Sequence, residues 1–88
     1  MSLLSFYGRE CPHCLTMEPL IVQLEKELGV SVERLEVWHD KENAAVLSGY
    51  DRGVCGGVPF FFNTDTKKSI CGEASLEELT AWAKTDTP

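Results

Sequence analysis

The fold is decided by residues 3–29, which read LLSFYGRECPHCLTMEPLIVQLEKELG. The apolar run at residues 3–7 stops at Gly8 and is typical of a buried strand. Further along, apolar residues recur at the three- and four-residue spacing of one helical face. They are Met17, Leu20, Ile21, Leu24 and Leu28. The pattern therefore predicts a helix that begins near Pro12, is kinked at Pro19 and ends at Gly29.

A second strand and a short helix are predicted next. Residues 30–38 are rich in valine and leucine, although the step from Val32 to Leu35 breaks strict alternation. That break indicates either a bulge or burial on both faces of the strand. Asp40 is expected to cap a short helix that ends at Gly49, before a loop rich in glycine.

A hairpin and a last helix complete the pattern. Residues 59–62 and 68–71 are predicted strands, and the turn cluster at residues 63–66 separates them. Ser75 and Glu78 form a capping box at the start of the last helix. The order β-α-β-α-β-β-α predicts an α/β fold with a four-stranded mixed sheet, a right-handed first crossover and helices on both faces.

Length and composition limit the possible classes of protein. The chain has 88 residues, which we expect to form a single domain over residues 1–88. Hydrophobic residues make up 43% and charged residues 25%, values that are typical of a soluble globular fold. The formal net charge of −6 argues against a nucleic-acid partner, since such partners require clustered cations.

The compartment is predicted from the hydropathy and charge of the chain. No apolar run approaches the roughly 20 residues of a membrane span, so we expect no membrane association. Residues 1–6 carry neither a basic leader nor a long apolar stretch, and we therefore expect no signal peptide. A cytoplasmic monomer is expected, with an organelle as the alternative if a transit peptide has been removed.

Cys11-Pro12-His13-Cys14 is the motif that carries chemistry. It follows a predicted strand and opens a predicted helix, which is the setting of a redox Cys-x-x-C motif. A thiolate is the nucleophile of disulfide exchange, and a helix N-terminus stabilises its negative charge. We therefore predict that Cys11 attacks a substrate disulfide. Cys14, expected to be the less exposed of the two, then resolves the mixed disulfide.

Several features around this motif resemble the thioredoxin superfamily over nearly the whole chain. Pro19 stands five residues after Cys14, Val58-Pro59 precedes the third predicted strand, and Gly72 precedes the last helix. The resemblance implies a thioredoxin-like fold and a cis peptide bond between Val58 and Pro59 that faces the cysteine pair. It also implies that this dipeptide binds the substrate chain. A trans proline at the start of an edge strand is the alternative.

The length and layout are closer to those of glutaredoxins, yet residues that identify each subfamily differ. Gly8 stands where many glutaredoxins carry a glutathione-binding lysine, and Gly57 stands in place of their usual threonine. Ser5 stands where thioredoxins have a buried aspartate. The group that accepts the proton of Cys14 is therefore open, with a water molecule or Glu36 as candidates.

His13 is expected to tune the redox couple together with Pro12. A histidine beside the Cys11 thiolate can donate a hydrogen bond or supply a positive charge, which stabilises the reduced form and raises the reduction potential. The same Cys-Pro-His-Cys motif occurs in strongly oxidising members of the superfamily that this chain resembles. We expect a potential above that of thioredoxin; the alternative is a solvent-exposed His13 with little effect.

The other two cysteines are Cys55, in the predicted loop, and Cys71, near the end of the fourth strand. We expect Cys71 to be a buried small hydrophobe and Cys55 to be a bystander thiol. An accessory redox role for Cys55 and a disulfide between the two are the alternatives. No metal is predicted, because structural zinc usually needs a second closely spaced pair. The resemblance to glutaredoxins also disfavours an iron–sulfur cluster at Cys11, since the members that bind one usually have another residue in place of Pro12.

The sequence thus predicts a thiol–disulfide oxidoreductase that acts on protein disulfides or dithiols. The predicted site comprises the catalytic residues Cys11, Pro12, His13 and Cys14 and the substrate-binding residues Val58 and Pro59. No cofactor is expected beyond the Cys11–Cys14 couple, and glutathione or a reductase is the candidate electron donor. The alternatives are a glutathione-dependent reductase of the glutaredoxin type and a non-catalytic binding or metal-carrying module. Tyr7 and Trp38 are expected to pack in the core.

Overall fold

The computed structural model describes residues 3–53 and 55–84. Its elements follow the predicted order β-α-β-α-β-β-α. They are β1 (Leu3–Tyr7), α1 (Pro12–Leu28), β2 (Val32–Glu36), α2 (Lys41–Asp51), β3 (Phe60–Asn63), β4 (Ser69–Cys71) and α3 (Leu76–Ala83). Within the described ranges, no helix is both long enough and apolar enough to cross a membrane.

The four strands form one mixed sheet in the order β2-β1-β3-β4. Strand β1 pairs with β2 in parallel and with β3 antiparallel, and β3 pairs with β4 antiparallel. The central position of β1 places Ser5 between Arg34 on one neighbour and Phe61 on the other. The predicted mixed sheet is confirmed, and β2 and β4 are its edge strands.

The sheet carries a hydrophobic cluster on each face, so the predicted helices on both faces are confirmed. The larger cluster lies under α1 and α3, where Phe61 meets Trp82 with their ring centroids 5.6 Å apart. Its buried members are Leu3, Met17, Ile21, Leu24, Val32, Phe61, Ala74, Leu79, Trp82 and Ala83. The smaller cluster lies under α2 and is built from Leu4, Phe6, Val37, Phe60 and Phe62.

The broken alternation in β2 reflects burial on both faces of the strand. Val32 belongs to the cluster under α1 and α3, whereas Leu35 and Val37 pack in the cluster under α2. The pairing with β1 advances one residue at a time from Leu3 with Val32 to Tyr7 with Glu36, so the strand contains no bulge. The strand is also shorter than the predicted residues 30–38.

Helix α2 begins as predicted, since the Asp40 carboxylate accepts hydrogen bonds from the backbone of the first turn. The predicted end at Gly49 is wrong, because the helix continues to Asp51. The added turn lets Tyr50 pack on Phe62, with their ring centroids 4.4 Å apart. It also buries Asp51. Tertiary packing of this turn outweighs the helix-ending tendency of one glycine.

The ends of the other two helices agree with the sequence. Gly29 has φ +66 and caps α1, which runs through Pro19 as one helix. Ser75 and Glu78 exchange side-chain and backbone hydrogen bonds at the start of α3, which confirms the capping box. These caps fix the start of α3 and the end of α1, the two helices that pack together on one face of the sheet.

Candidate active site

Cys11 and Cys14 lie at the N-terminus of α1, where the loop after β1 enters the helix. Cys11 is the N-cap residue, and the Cys14 backbone N–H donates a hydrogen bond to the Cys11 sulfur over 3.2 Å. The Cys11 backbone N–H donates to the Gly8 carbonyl over 3.0 Å, which closes the loop. A sulfur in this position receives an otherwise unpaired helix N–H and the positive end of the helix dipole, and both stabilise a thiolate.

Both sulfurs are free thiols and both residues are buried. Cys11 is 4% exposed and Cys14 is 7% exposed, so the prediction that Cys14 would be the less exposed is wrong. The cis-proline loop lies beside Cys11, whose thiol is 4.0 Å from the Val58 carbonyl oxygen.

The Cys14 thiol is strongly biased towards its protonated form. Burial, followed by the hydrogen bond with Cys11, raises the pKa of Cys14 to about 12. Burial acts in this direction because a charged thiolate loses the solvation that water would supply. Cys14 therefore cannot act as an attacking thiolate at neutral pH unless its proton is removed in the same step.

The Val58–Pro59 peptide bond is cis, as the resemblance implied. Pro59 is buried at the start of β3, and its carbonyl accepts a hydrogen bond of 2.8 Å from the Gly72 N–H. This bond connects the loop to the end of β4. The dipeptide thus stands against the cysteine pair and is held there from the edge of the sheet.

The exposed His13 side chain pairs with Glu73. Its side chain is 71% exposed, and its Nδ1 atom hydrogen-bonds to a carboxylate oxygen of Glu73. No hydrogen bond among the described residues joins the His13 ring to Cys11. Glu73 follows β4, so this contact links the Cys-x-x-C turn to the far edge of the sheet.

A cavity of about 360 Å³ opens beside Cys14. It is lined by Ser5, Tyr7, Cys14, Leu15, Met17, Glu18, Ile21, Arg34, Pro59 and Phe61. Its charged groups are Glu18 and Arg34, which form an ion pair of 2.8 Å. Glu18 was missed in the sequence, although its spacing of four residues from Cys14 places both on one side of the helix.

Glu36, the carboxylate suggested from the sequence as proton acceptor for Cys14, has other partners. Its oxygens accept hydrogen bonds from the backbone N–H groups of Arg9 and His39 over 2.8 Å each. They also accept one from Trp38 over 3.3 Å. These bonds lower the pKa of Glu36 against the opposing effect of desolvation. Glu36 therefore orders the loops at one edge of the site.

Trp38 is not a core residue, contrary to the prediction, because 51% of it is exposed. Its ring lies directly over Gly8, and a Cβ atom at Gly8 would overlap the ring atoms. Tyr7, by contrast, is partly buried and lines the cavity beside Cys14. The indole thus occupies the surface above the loop that leads to Cys11.

Cys55 and Cys71 form a disulfide, with their Cα atoms 5.5 Å apart. The expectation of a buried Cys71 and a bystander Cys55 is therefore wrong, since Cys71 lies exposed on the edge strand and Cys55 is partly buried in the loop before Pro59. The bond leaves neither sulfur free to ligate zinc. In residues 3–53 and 55–84, no group of three or more histidine, cysteine or acidic side chains is arranged to hold a metal ion.

Comparison with solved structures identifies the architecture. The chain is similar to thioredoxin 1 from Thermosipho africanus TCF52B, with 21% identity and a TM-score of 0.68 over 92% of this chain and 88% of that one. It is also similar to a glutaredoxin from Archaeoglobus fulgidus, with 20% identity and a TM-score of 0.63 over 96% of this chain and 87% of that one. No family model matches the sequence, and no curated protein does. At these identities the likeness establishes the fold, which is thioredoxin-like.

Proposed function

We propose that this protein is a thiol–disulfide oxidoreductase that exchanges disulfides with protein substrates through Cys11 and Cys14. The observation that carries the proposal is the placement of two free thiols at the first turn of α1, with the Cys14 N–H on the Cys11 sulfur. A thioredoxin-like fold and a cis-proline loop against the pair support it. The reaction needs a nucleophilic sulfur and a nearby second thiol, and this turn places a helix N–H on the Cys11 sulfur with Cys14 three residues away.

The proposed reaction is a two-electron exchange in two steps. The Cys11 thiolate attacks one sulfur of a substrate disulfide, and the other substrate sulfur leaves as a thiolate that takes a proton from solvent. Cys14 then loses its proton and attacks Cys11, which forms the Cys11–Cys14 disulfide and releases the second substrate thiol. The substrate gains two electrons and the protein loses two. Run in reverse, the same couple oxidises a substrate dithiol.

Glu18 is the proposed acceptor of the Cys14 proton. Glu18 and Cys14 line the same cavity. Ser5, on strand β1, also lines this cavity but has no ionisable side chain that could accept the proton. A cavity of about 360 Å³ has room for water molecules that relay the proton. Arg34 holds the Glu18 carboxylate at its edge over 2.8 Å.

Val58 and Pro59 are proposed to bind the extended chain of the substrate. The Val58 carbonyl already lies 4.0 Å from the Cys11 thiol, so a chain that pairs with this loop brings its own sulfur to Cys11. Pro12 and His13 are proposed to complete the turn and to influence the couple. The surface carries a net charge of −6, which favours basic protein substrates.

A redox titration tests the proposal. The protein is equilibrated in glutathione buffers of graded potential, its thiols are trapped by alkylation, and each cysteine is assigned by mass spectrometry. We expect Cys11 and Cys14 to oxidise together with one defined potential and without an added cofactor. If the two never form a disulfide, the proposed function is wrong.

A glutathione-dependent reaction is the second candidate, and the likeness to a glutaredoxin over 96% of this chain favours it. The glutathione-dependent reaction is disfavoured at Gly8, because the Trp38 ring occupies the space that the side chain of a glutathione-binding lysine would need. Reduction of a glutathione mixed disulfide by the Cys14→Ser variant distinguishes the two. That variant retains activity in the glutathione-dependent reaction and loses turnover in the dithiol reaction.

A further inference from the structure

The Cys55–Cys71 disulfide joins two segments that both end at the candidate active site. Cys55 stands four residues before Pro59, in the loop that carries the cis peptide bond. Cys71 is the last residue of β4 and pairs with Phe60, the residue that follows the cis-proline. The bond therefore closes the base of the substrate-binding loop against the edge strand.

Contacts on both sides of the disulfide continue into the site. The residue after Cys71 is Gly72, whose N–H donates to the Pro59 carbonyl over 2.8 Å. The next residue is Glu73, which binds His13 inside the Cys-x-x-C turn. The two residues that follow β4 thus touch the cis-proline on one side and the first turn of α1 on the other.

The Cys55 end is held by a buried carboxylate. Asp51, at the end of α2, accepts hydrogen bonds from the backbone N–H groups of Cys55 over 2.6 Å and Gly56 over 2.9 Å. The loop before Pro59 is therefore attached at Cys55 in two ways: by hydrogen bonds to the Asp51 carboxylate and by the disulfide, which a thiol can open.

The disulfide is accessible to reductants. Cys71 is exposed on a three-residue edge strand, while Cys55 is partly buried beside the cluster under α2. An attacking thiolate must approach along the axis of the sulfur–sulfur bond, and Cys71 is the more exposed residue of the two. By contrast, Cys11 and Cys14 are both buried.

We propose that Cys55–Cys71 is a second redox centre, reducible by small-molecule thiols, whose oxidised form holds the residue 55–59 loop in the conformation that binds the substrate chain. The second half of this proposal rests on the proposed oxidoreductase function. Opening the bond removes the covalent restraint on the loop and leaves hydrogen bonds and apolar packing, among them those to Asp51 and Gly72. The substrate then has to order the loop on binding, which weakens its affinity.

The reduction is balanced by two molecules of thiol. The thiolate of the first attacks the Cys71 sulfur, the bond to Cys55 breaks, and Cys55 leaves as a thiolate that takes a proton from solvent. A second thiolate attacks the small-molecule sulfur of this mixed disulfide and releases Cys71 as a thiol. Cystine in the protein gains two electrons, and the two small thiols become one disulfide.

The first test measures reduction of the bond itself. The protein is incubated with reduced glutathione alone, and the alkylation of Cys55 and Cys71 is followed by mass spectrometry next to that of Cys11 and Cys14. We expect Cys55 and Cys71 to become alkylated together while the protein stays folded by circular dichroism. A bond that persists in the folded protein under this treatment overturns the proposal.

The second test measures substrate binding. We measure the KM and kcat for a peptide disulfide in single turnovers without added thiol, because a thiol would reduce Cys55–Cys71 in the wild-type protein. Compared with the wild-type protein, the Cys55→Ser/Cys71→Ser variant should have a KM about fivefold or more higher, with kcat retained. Each single serine variant breaks the same bond, so each should match the double variant. An unchanged KM, or effects of the single variants that add, overturns the proposal.

Hydrogen exchange gives a readout that needs neither variant nor activity. In the wild-type protein, the amides of Gly72 and Gly56 should exchange faster once Cys55–Cys71 is reduced. The Gly29 amide, which caps α1 on Glu25 over 2.9 Å, is the control and should keep its rate. Equal rates for Gly72 and Gly56 in both states contradict the proposed loop restraint. This measurement does not depend on the proposed function. If Cys11 and Cys14 fail to react with any substrate disulfide, the proposed function is wrong, but the amide exchange rates still test the loop restraint.

Discussion

The two cysteine pairs of this protein differ in spacing, burial and redox state. Cys11 and Cys14 are three residues apart, buried, and reduced at a helix N-terminus. Cys55 and Cys71 are 16 residues apart, more accessible, and joined between a loop and an edge strand. The first pair has an environment that changes the chemistry of a thiol, and the second has one that restrains the backbone. Since the backbone setting differs between them, we call Cys11–Cys14, the proposed site of exchange with substrate, the reactive pair, and Cys55–Cys71 the restraining pair.

The largest expected difference between the pairs is in turnover. Cys11→Ser should lower the rate of peptide-disulfide reduction by at least about a thousandfold, because it removes the proposed nucleophile. Cys14→Ser should halt turnover after the first step and accumulate a mixed disulfide at Cys11, visible as a mass increase equal to the substrate. Cys55→Ser is the matched control with its effect confined to KM. A Cys11→Ser protein that still turns over would place the chemistry at the other pair.

The second difference concerns pH. Burial raises the pKa of Cys14 and persists in the mixed disulfide, so the fraction of Cys14 thiolate rises about tenfold for each pH unit below that pKa. Without a base, resolution of a mixed disulfide at Cys11 should accelerate about a hundredfold between pH 7 and pH 9. If Glu18 removes the proton, the resolution rate of the wild-type protein should rise by less than this between pH 7 and pH 9.

Glu18→Gln tests that base against a closely matched residue. Glu18 and Glu25 both bind Arg34 over 2.8 Å, but only Glu18 lines the cavity beside Cys14. Glu18→Gln should slow the resolution step about tenfold at pH 7 and restore the steep pH dependence, since general bases commonly contribute this much or more. Glu25→Gln should leave the rate unchanged. Stopped-flow measurement of mixed-disulfide decay decides, and equal rates for the two variants would remove Glu18 from the mechanism.

The sequence predicted the reactive pair far better than the restraining one. The strand, the helix start and the motif at residues 3–29 are local features, and hydropathy periodicity and caps report local structure directly. The Cys55–Cys71 bond depends on folding a loop back against an edge strand, and no spacing rule contains that information. The contact between Glu73 and His13 likewise depends on how the edge strand β4 packs in the folded sheet.

Other departures from prediction have the same origin in tertiary packing. The end of α2 moved past Gly49 because Tyr50 and Asp51 gain buried contacts that a propensity argument cannot include. Trp38 lies on the surface because Gly8 leaves room for its ring beside the loop. Glu18 is the exception, since its four-residue spacing from Cys14 was already readable as a shared side of the helix.

The third difference is in stability. The Cys55–Cys71 bond closes a segment with a sequence separation of 16, and removing it should lower the free energy of unfolding by about 3 kcal/mol. Urea unfolding of Cys55→Ser/Cys71→Ser against the wild-type protein, without reductant, measures this. The control is Cys11→Ser/Cys14→Ser, which breaks no covalent bond of the structure and should cost less. With excess reductant, the wild-type protein and the Cys55→Ser/Cys71→Ser variant should have the same free energy of unfolding. A difference that persists under these conditions would have a cause other than the disulfide.

The smallest expected effect joins the two regions, because Glu73 follows the restraining pair and His13 belongs to the reactive one. A positive charge on His13 would stabilise the Cys11 thiolate of the reduced form, and the Glu73 carboxylate would offset that charge. Surface pairs of this kind contribute at most about 1 kcal/mol, which corresponds to about 20 mV for a two-electron couple. Glu73→Gln should therefore raise the potential of Cys11–Cys14 by no more than about 20 mV, and His13→Gly should lower it by a similar amount. If the glutathione equilibrium of His13→Gly shifts by several times that value while Glu73→Gln has no effect, His13 acts on Cys11 directly and Glu73 does not moderate it.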